Sequence, residues 1–211
     1  MLEINNVTKH LGGKIIFKNI SFEMKQHHLL ISGESGSGKS TLAKILAGLD
    51  TDYSGQLYLN HKPRKDYTIK EWMKVIQYVP QYQRDTLNGR KTVRYILTEP
   101  LKNYHFQKET YSERIEAILE RCALPSEILN QRIDTLSGGQ FQRVWIAKAL
   151  MIEPQILILD EATTNLDVIN EESILQMLKT LKETQLIIIS HDQYVLNSFE
   201  GKTITMSSNI E

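Results

Sequence analysis

Apolar positions along the chain follow two periods. Leu2–Val7 alternates apolar and polar as a short strand, and Gly12-Gly13 marks a turn before two more strand-like runs, Ile15–Phe17 and Ile20–Met24. Leu29–Ile31, Ile156–Leu159 and Leu186–Ile189 are instead continuously apolar, the pattern of parallel strands covered on both faces. Gln56–Leu59, Val75–Val79 and Thr203–Met206 read as further strands. Helical spacing appears over Thr41–Ala47, closed by Gly48 as a C-terminal cap, and over Val93–Leu97, Tyr111–Cys122, Ser137–Leu150, Val168–Leu181 and Asp192–Phe199. From Tyr82 to about Thr135 the chain is helical and polar, with a break at Pro125. Strands alternating with helices predict an α/β fold with a mostly parallel sheet. An antiparallel β-subdomain opens it and a helical subdomain is inserted. The expected division is a single domain over 1–211, with 1–81 and 151–211 as the α/β core and 82–150 as the helical part.

Composition narrows the function. Lys+Arg and Asp+Glu are both 25 over 211 residues, so the formal charge is zero and argues against non-specific nucleic-acid binding. The one cysteine, Cys122, falls among Ile115, Ile118 and Leu119 at helical spacing, which predicts a core thiol and suits a reducing compartment. Met1–Asn6 does not read as a signal peptide, and no apolar run approaches the ~18 residues of a membrane span. Any membrane link is expected to run through a partner.

Three stretches carry chemistry. Gly33-Glu34-Ser35-Gly36-Ser37-Gly38-Lys39-Ser40 fits Gly, four residues, Gly-Lys-Ser, between an apolar strand and a helix that continues from Thr41. Glycines let the backbone curl so that several N–H groups converge on an anion, and the helix N-terminus adds positive potential. Lys39 would reach the β- and γ-phosphates and Ser40 would place a hydroxyl on Mg²⁺. The bland alternative, a Gly/Ser turn with a chance lysine, does not account for the strand and helix around it. The second stretch is the strand Ile156–Leu159 ending in Asp160-Glu161, two carboxylates at the edge where α/β sheets bind ligands. Asp160 suits Mg²⁺, and Glu161 could orient or deprotonate a water. The third is Leu136-Ser137-Gly138-Gly139-Gln140, in which Ser137 is a natural helix N-cap and the paired glycines allow close approach to an anion. A flexible linker is the plain alternative, but linkers are seldom followed at once by a capped amphipathic helix.

The order of Gly33–Ser40, Gln81, Leu136–Gln140, Asp160-Glu161 and His191 resembles the nucleotide-binding subunit of an ABC (ATP-binding cassette) transporter over nearly the whole chain. Leu-Ser-Gly-Gly-Gln is that family's own signature. The resemblance implies a P-loop NTPase fold, RecA-like in its mostly parallel sheet. It also implies ATP and Mg²⁺ as cofactors and a head-to-tail dimer. Ser137, Gly138, Gly139 and Gln140 of one subunit would then face ATP held by Gly33–Thr41 of the other. By the same resemblance Gln81 senses Mg²⁺ and the attacking water, and Asp167 in Thr164-Asn165-Leu166-Asp167 links the two sites. His191 would contact the γ-phosphate. The catalytic set is then Glu161, His191 and Gln81, and the Mg²⁺ set is Ser40, Gln81 and Asp160. Adjacent strand residues face opposite ways, so His27-His28 makes a poor metal pair.

Asp85–Val93 with Glu99-Pro100-Leu101 is similar to a stretch of the peptide and nickel importers. That branch implies integral-membrane permease subunits, a second ATPase subunit (identical or different) and, indirectly, an extracellular substrate-binding protein. It places the chain on the cytoplasmic side of the cell membrane. Peptides, nickel and metal–chelator complexes all stand open as cargo. Leu11 occupies the position where the family usually has an aromatic ring stacked on adenine, with His10 as a substitute. His27 stands at a usual glycine, and the C-terminal extension common in peptide importers is not in this sequence. Two alternatives compete. A soluble ATPase of the same superfamily would be expected to carry a long coiled-coil insertion, a cysteine cluster or a second cassette. A P-loop kinase or GTP switch would have no use for Leu136–Gln140 or His191.

Overall fold

The computed structural model describes residues 1–81, 86–164 and 166–207. Tyr82, Asp85 and Asn165, which belong to motifs read above, lie outside the described residues. Two sheets organise the chain. The antiparallel one has the order β2-β1-β4-β5, built from β1 (Leu2–Leu11), β2 (Lys14–Met24), β4 (Ser54–Leu59) and β5 (Lys62–Pro63). The parallel one has the order β6-β7-β8-β3-β9, from β3 (His28–Gly33), β6 (Ile76–Val79), β7 (Ile156–Asp160), β8 (Gln185–Ile189) and β9 (Gly201–Met206).

The period of two in the strands divides the interior. Leu157, Leu159, Leu186 and Ile188 face one apolar cluster together with the helices α3 (Val93–Asn103), α4 (Tyr111–Arg121), α5 (Gly138–Leu150) and α6 (Val168–Lys179). Their neighbours Ile156, Ile158, Ile187 and Ile189 face a second cluster with α1 (Lys39–Leu46) and the inner side of the antiparallel sheet. The central strands are buried on both faces, as their continuous apolar runs predict. Cys122 is fully buried, and burial pushes its thiol up to about 12, so it is an inert core residue. Among the described residues no helix is long and apolar enough to cross a membrane.

Several boundaries differ from the sequence reading, each for a local reason. Ile15–Phe17 and Ile20–Met24 are one strand, β2, whose register against β1 shifts three times at bulges. The strand expected at Val75–Val79 begins at Ile76, because Ile69–Val75 is a helix, α2. Thr68 and Glu71 form a reciprocal capping box that starts it, and its one fully buried side chain, Trp72, donates from Nε1 to the Leu46 carbonyl at 2.9 Å. α3 runs past Leu97 through Pro100 to Asn103, since burial of Pro100 and Leu101 outweighs one missing helical N–H donor. Gly48 closes α1 at φ +76, with the Leu49 N–H on the Lys44 carbonyl and the Gly48 N–H on Ile45, the pattern of a left-handed C-terminal cap.

Candidate active site

β3 ends in Gly33, the loop follows, and α1 begins at Lys39. Gly33, Gly36 and Gly38 have φ of +141°, +82° and +90°. At two of these positions space as well as φ demands glycine. A Cβ on Gly33 would overlap the carbonyl oxygen of Met206 in β9. One on Gly38 would lie 2.7 Å from Ile16 and 2.9 Å from Phe17. The β2 register shift opposite Lys9 and His10 leaves Ile16 as the extra residue, which lets both side chains turn toward the loop. The Lys39 side chain is buried, and its Nζ donates to the carbonyls of Gly33 at 2.8 Å and Glu34 at 2.7 Å. The loop therefore wraps an ammonium whose hydrogen-bond partners are neutral, leaving its charge for an anion at the loop mouth. Glu34, Ser35, Gly36 and Ser40 are exposed, Thr41 is half-buried, and Ser37 is buried. Leu11, 64% exposed, stands at the tip of the adjoining β1–β2 hairpin beside exposed His10.

Asp160 is the last residue of β7 and is 1% exposed. Ser40 Oγ donates to one of its carboxylate oxygens at 3.0 Å, and the Tyr78 hydroxyl donates to the other at 2.8 Å. Burial raises the Asp160 pKa, with Glu161 adding to the rise, while these two hydrogen bonds oppose it. Burial, and then the Asp160 charge, push the Tyr78 phenol far up, so it is a donor at any ordinary pH. Glu161 leaves the strand with φ +49° and its N–H on the Ile189 carbonyl at 2.9 Å. A left-handed backbone at a glutamate costs of order 1–3 kcal/mol, which the surrounding structure must hold in place. Its carboxylate lies between Gln81 Nε2 and His191 Nδ1, each at 3.3 Å. The structure thus gathers Gly33–Ser40, Gln81, Asp160, Glu161 and His191 at the C-terminal edge of the parallel sheet.

Ser137 to Gln140 form a separate element. Ser137 caps α5: its Oγ accepts from the Gln140 N–H at 3.2 Å, and the Gln140 side chain accepts from the Ser137 N–H at 3.0 Å. The amides of Gly138 and Gly139, in the first turn, have no helical acceptor. Gly139 is buried against Asn170, whose side chain fills the space a Cβ would take. Asn170 is in turn tied to Asp167, the N-cap of α6, through its N–H at 2.9 Å and its side-chain amide at 2.6 Å. Those bonds hold the Asp167 carboxyl below its usual range. Asp167 is exposed, and Val168 and Ile169 beside it are 78% and 82% exposed. Contacts of this element thus lead to α6, whereas those of Gly33–Ser40 lead to β2, β9 and Asp160. Of the remaining histidines, His28 accepts the Leu186 N–H on Nδ1 at 3.1 Å and its pKa is lowered by burial, while His27 is exposed.

Two residues of the site were absent from the sequence reading. Tyr78 carried a faint signal, being a phenol on a strand that enters the sheet just before Gln81. Asn170 carried only the Asp-x-x-Asn spacing of a helix cap.

Known proteins resemble this chain in sequence and fold. The family profile described as "ABC transporter" matches residues 17–164. The nickel import ATP-binding protein NikE of Escherichia coli K12 is 34% identical, the alignment covering 99% of this chain and 84% of that protein. The NikE of Shigella boydii is 34% identical over 92% of this chain and 75% of its own length. A dimeric post-hydrolysis structure of the ATP-binding cassette MJ0796 bound to ADP and phosphate superposes with a TM-score of 0.84 at 30% identity, covering 99% of this chain and 97% of that one. A second dimeric structure of that bacterial ABC transporter cassette gives 0.85 at 31%. The chain therefore belongs to the ABC transporter family, and it is an ATPase of the P-loop fold.

Proposed function

We propose that this chain is the ATP-hydrolysing subunit of an ABC importer, working as one half of a head-to-tail dimer at the cytoplasmic face of a membrane. One observation supports the hydrolytic part most directly. Glu161, strained and adjacent to Asp160, is held between Gln81 and His191 beside the phosphate loop. In this reading Lys39 shifts its hydrogen bonds from the two loop carbonyls to the β- and γ-phosphates, and the loop amides from Gly33 to Thr41 hold the rest. Ser40 and Asp160, hard oxygen donors already within hydrogen-bond distance of one another, together with Gln81 suit Mg²⁺. Bound there, Mg²⁺ would neutralise phosphate charge. Glu161 orients the attacking water and accepts its proton, with Gln81 and His191 fixing the carboxylate. Ser137, Gly138, Gly139 and Gln140 of the second subunit close on the γ-phosphate, the first-turn amides of Gly138 and Gly139 supplying donors that the capping box does not use. Asp167 links the two sites. Residues 82–150 act as the helical subdomain on the α/β core of 1–81 and 151–211.

The 34% likeness to a nickel import protein and the resemblance of Asp85–Val93 to the peptide and nickel importers support cargo of that class: nickel, peptides or metal–chelator complexes. The partners are then two membrane-spanning permease subunits, a second ATPase subunit and, indirectly, an extracellular binding protein.

Glu161→Gln tests the hydrolytic assignment. In the assembled complex it should keep ATP binding and lower turnover about a thousandfold, the range of a lost general base. Hydrolysis at the wild-type rate would overturn it. For the transport assignment, the tagged chain recovered from detergent-solubilised host membranes should bring down permease subunits. Ribosomes, DNA or a soluble partner in their place would sink the importer reading and leave the ATPase intact.

A further inference from the structure

We propose that the Tyr78 hydroxyl is a positioning group for the Mg²⁺ carboxylate, fixing the rotation of Asp160 so that one of its oxygens is presented toward Ser40. The inference rests on the reading of Asp160 as the Mg²⁺ carboxylate. Its support is geometric. Asp160 is buried, and its two oxygens are shared between two donors from different elements. Ser40, in the first turn of α1, donates to Oδ1, and Tyr78, on β6, donates to Oδ2. Tyr78 is paired with Ile158 on the adjacent strand, two residues before Asp160. Two residues of strand span about 6.6 Å, roughly the reach of a phenol from its Cα to its oxygen, so the ring runs alongside β7 and its hydroxyl arrives at the carboxylate.

The two donors differ in what a metal ion would do to them. Ser40 carries a hydroxyl that can itself become a ligand and so can exchange its bond to Asp160 for one to the ion. Tyr78 reaches the opposite oxygen from within the sheet, where it cannot follow. It holds Oδ2 whether or not the other oxygen is engaged. Without it Oδ2 would be a buried acceptor lacking a donor, and the carboxylate would be free to rotate to find one. Partners of this kind, one bond removed from a metal, typically govern its affinity by tenfold or more.

Tyr78→Phe removes one oxygen atom and keeps the ring. The readout is binding of a fluorescent ATP analogue to the full chain, with and without Mg²⁺, alongside the unfolding temperature. The expected result is that the Mg²⁺ concentration giving half of the Mg²⁺-dependent gain in binding rises about tenfold. Affinity without Mg²⁺ should stay within about twofold and the unfolding temperature within a few degrees. An unchanged Mg²⁺ dependence would overturn the proposal. So would a parallel loss of affinity with and without the ion, since that is the mark of a structural role. Asp160→Asn, measured beside it, separates the layers. If Asp160→Asn leaves the Mg²⁺ dependence unchanged, the carboxylate reading fails. If it shifts the dependence and Tyr78→Phe does not, only the role of the hydroxyl is overturned.

Discussion

The carboxylate edge and the capped glycine helix, both assigned to phosphate in the proposed function, are held in opposite ways. At Asp160 and Glu161 every carboxylate oxygen has a donor close by in its own chain: Ser40, Tyr78, Gln81 and His191. At Ser137–Gln140 the side chains close upon each other in a capping box, Asn170 packs behind, and the amides of Gly138 and Gly139 have no helical acceptor. Folding alone finishes the geometry of the first region. In the second it builds only the support, and on the proposed function the nucleotide it meets is held by the other subunit. A substitution in the first region should therefore be felt by the isolated chain, and one in the second chiefly when two chains meet.

The strongest test of that contrast is Gly33→Ala, in the loop that joins the first region through the bond of Ser40 to Asp160. Its Cβ would strike backbone, the Met206 carbonyl, at φ +141°, so nothing nearby can swing aside. Strain and overpacking together should lower stability by about 3 kcal/mol or more, visible as a fall in unfolding temperature of the chain alone. Gly139→Ala comes next and should behave differently, because the obstacle is the Asn170 side chain. The fold should survive with a small loss, while ATP-driven dimerisation in the Glu161→Gln background, measured by light scattering, falls more than about tenfold. Combining it with Asn170→Ala should restore dimerisation to the level of Asn170→Ala alone. Absence of that rescue would place the obstruction at the nucleotide and not at Asn170. The smallest effect is expected of Ser137→Ala. Loss of a serine N-cap costs about 1 kcal/mol, read by thermal unfolding, with ATP binding to the isolated chain unchanged. If Ser137→Ala weakened that binding as much as a loop variant does, the contrast between the two regions would collapse.

What could be read from sequence follows the same line. Gly33–Ser40, Asp160-Glu161 and Ser137–Gln140 are contiguous, so residue type and flanking pattern suffice to find them. The central parallel strands β7 and β8 announce themselves because burial on both faces gives each a continuous apolar run. Tyr78 on Asp160 and Asn170 on Gly139 are contacts made by register and packing, between residues far apart in the chain, and no local pattern encodes them. α2 escapes the sequence pattern because a seven-residue helix with one buried side chain is too short to show a period, although Thr68 and Glu71 spell its cap. β2 was broken in two because its bulges interrupt the alternation by which a strand is recognised.

The left-handed backbone at Glu161 has a consequence for how this chain can change over generations. Glycine would relieve that conformation and asparagine would do so in part, so substitution there is a route by which the fold could gain stability at a single position. Selection for a sturdier protein alone would carry position 161 away from glutamate. A lineage that keeps glutamate against that drift is one in which turnover, and not persistence of the folded chain, decides survival. On the proposed role of Glu161, a copy found with glycine at 161 would mark a cassette that has been retired from hydrolysis while keeping its shape.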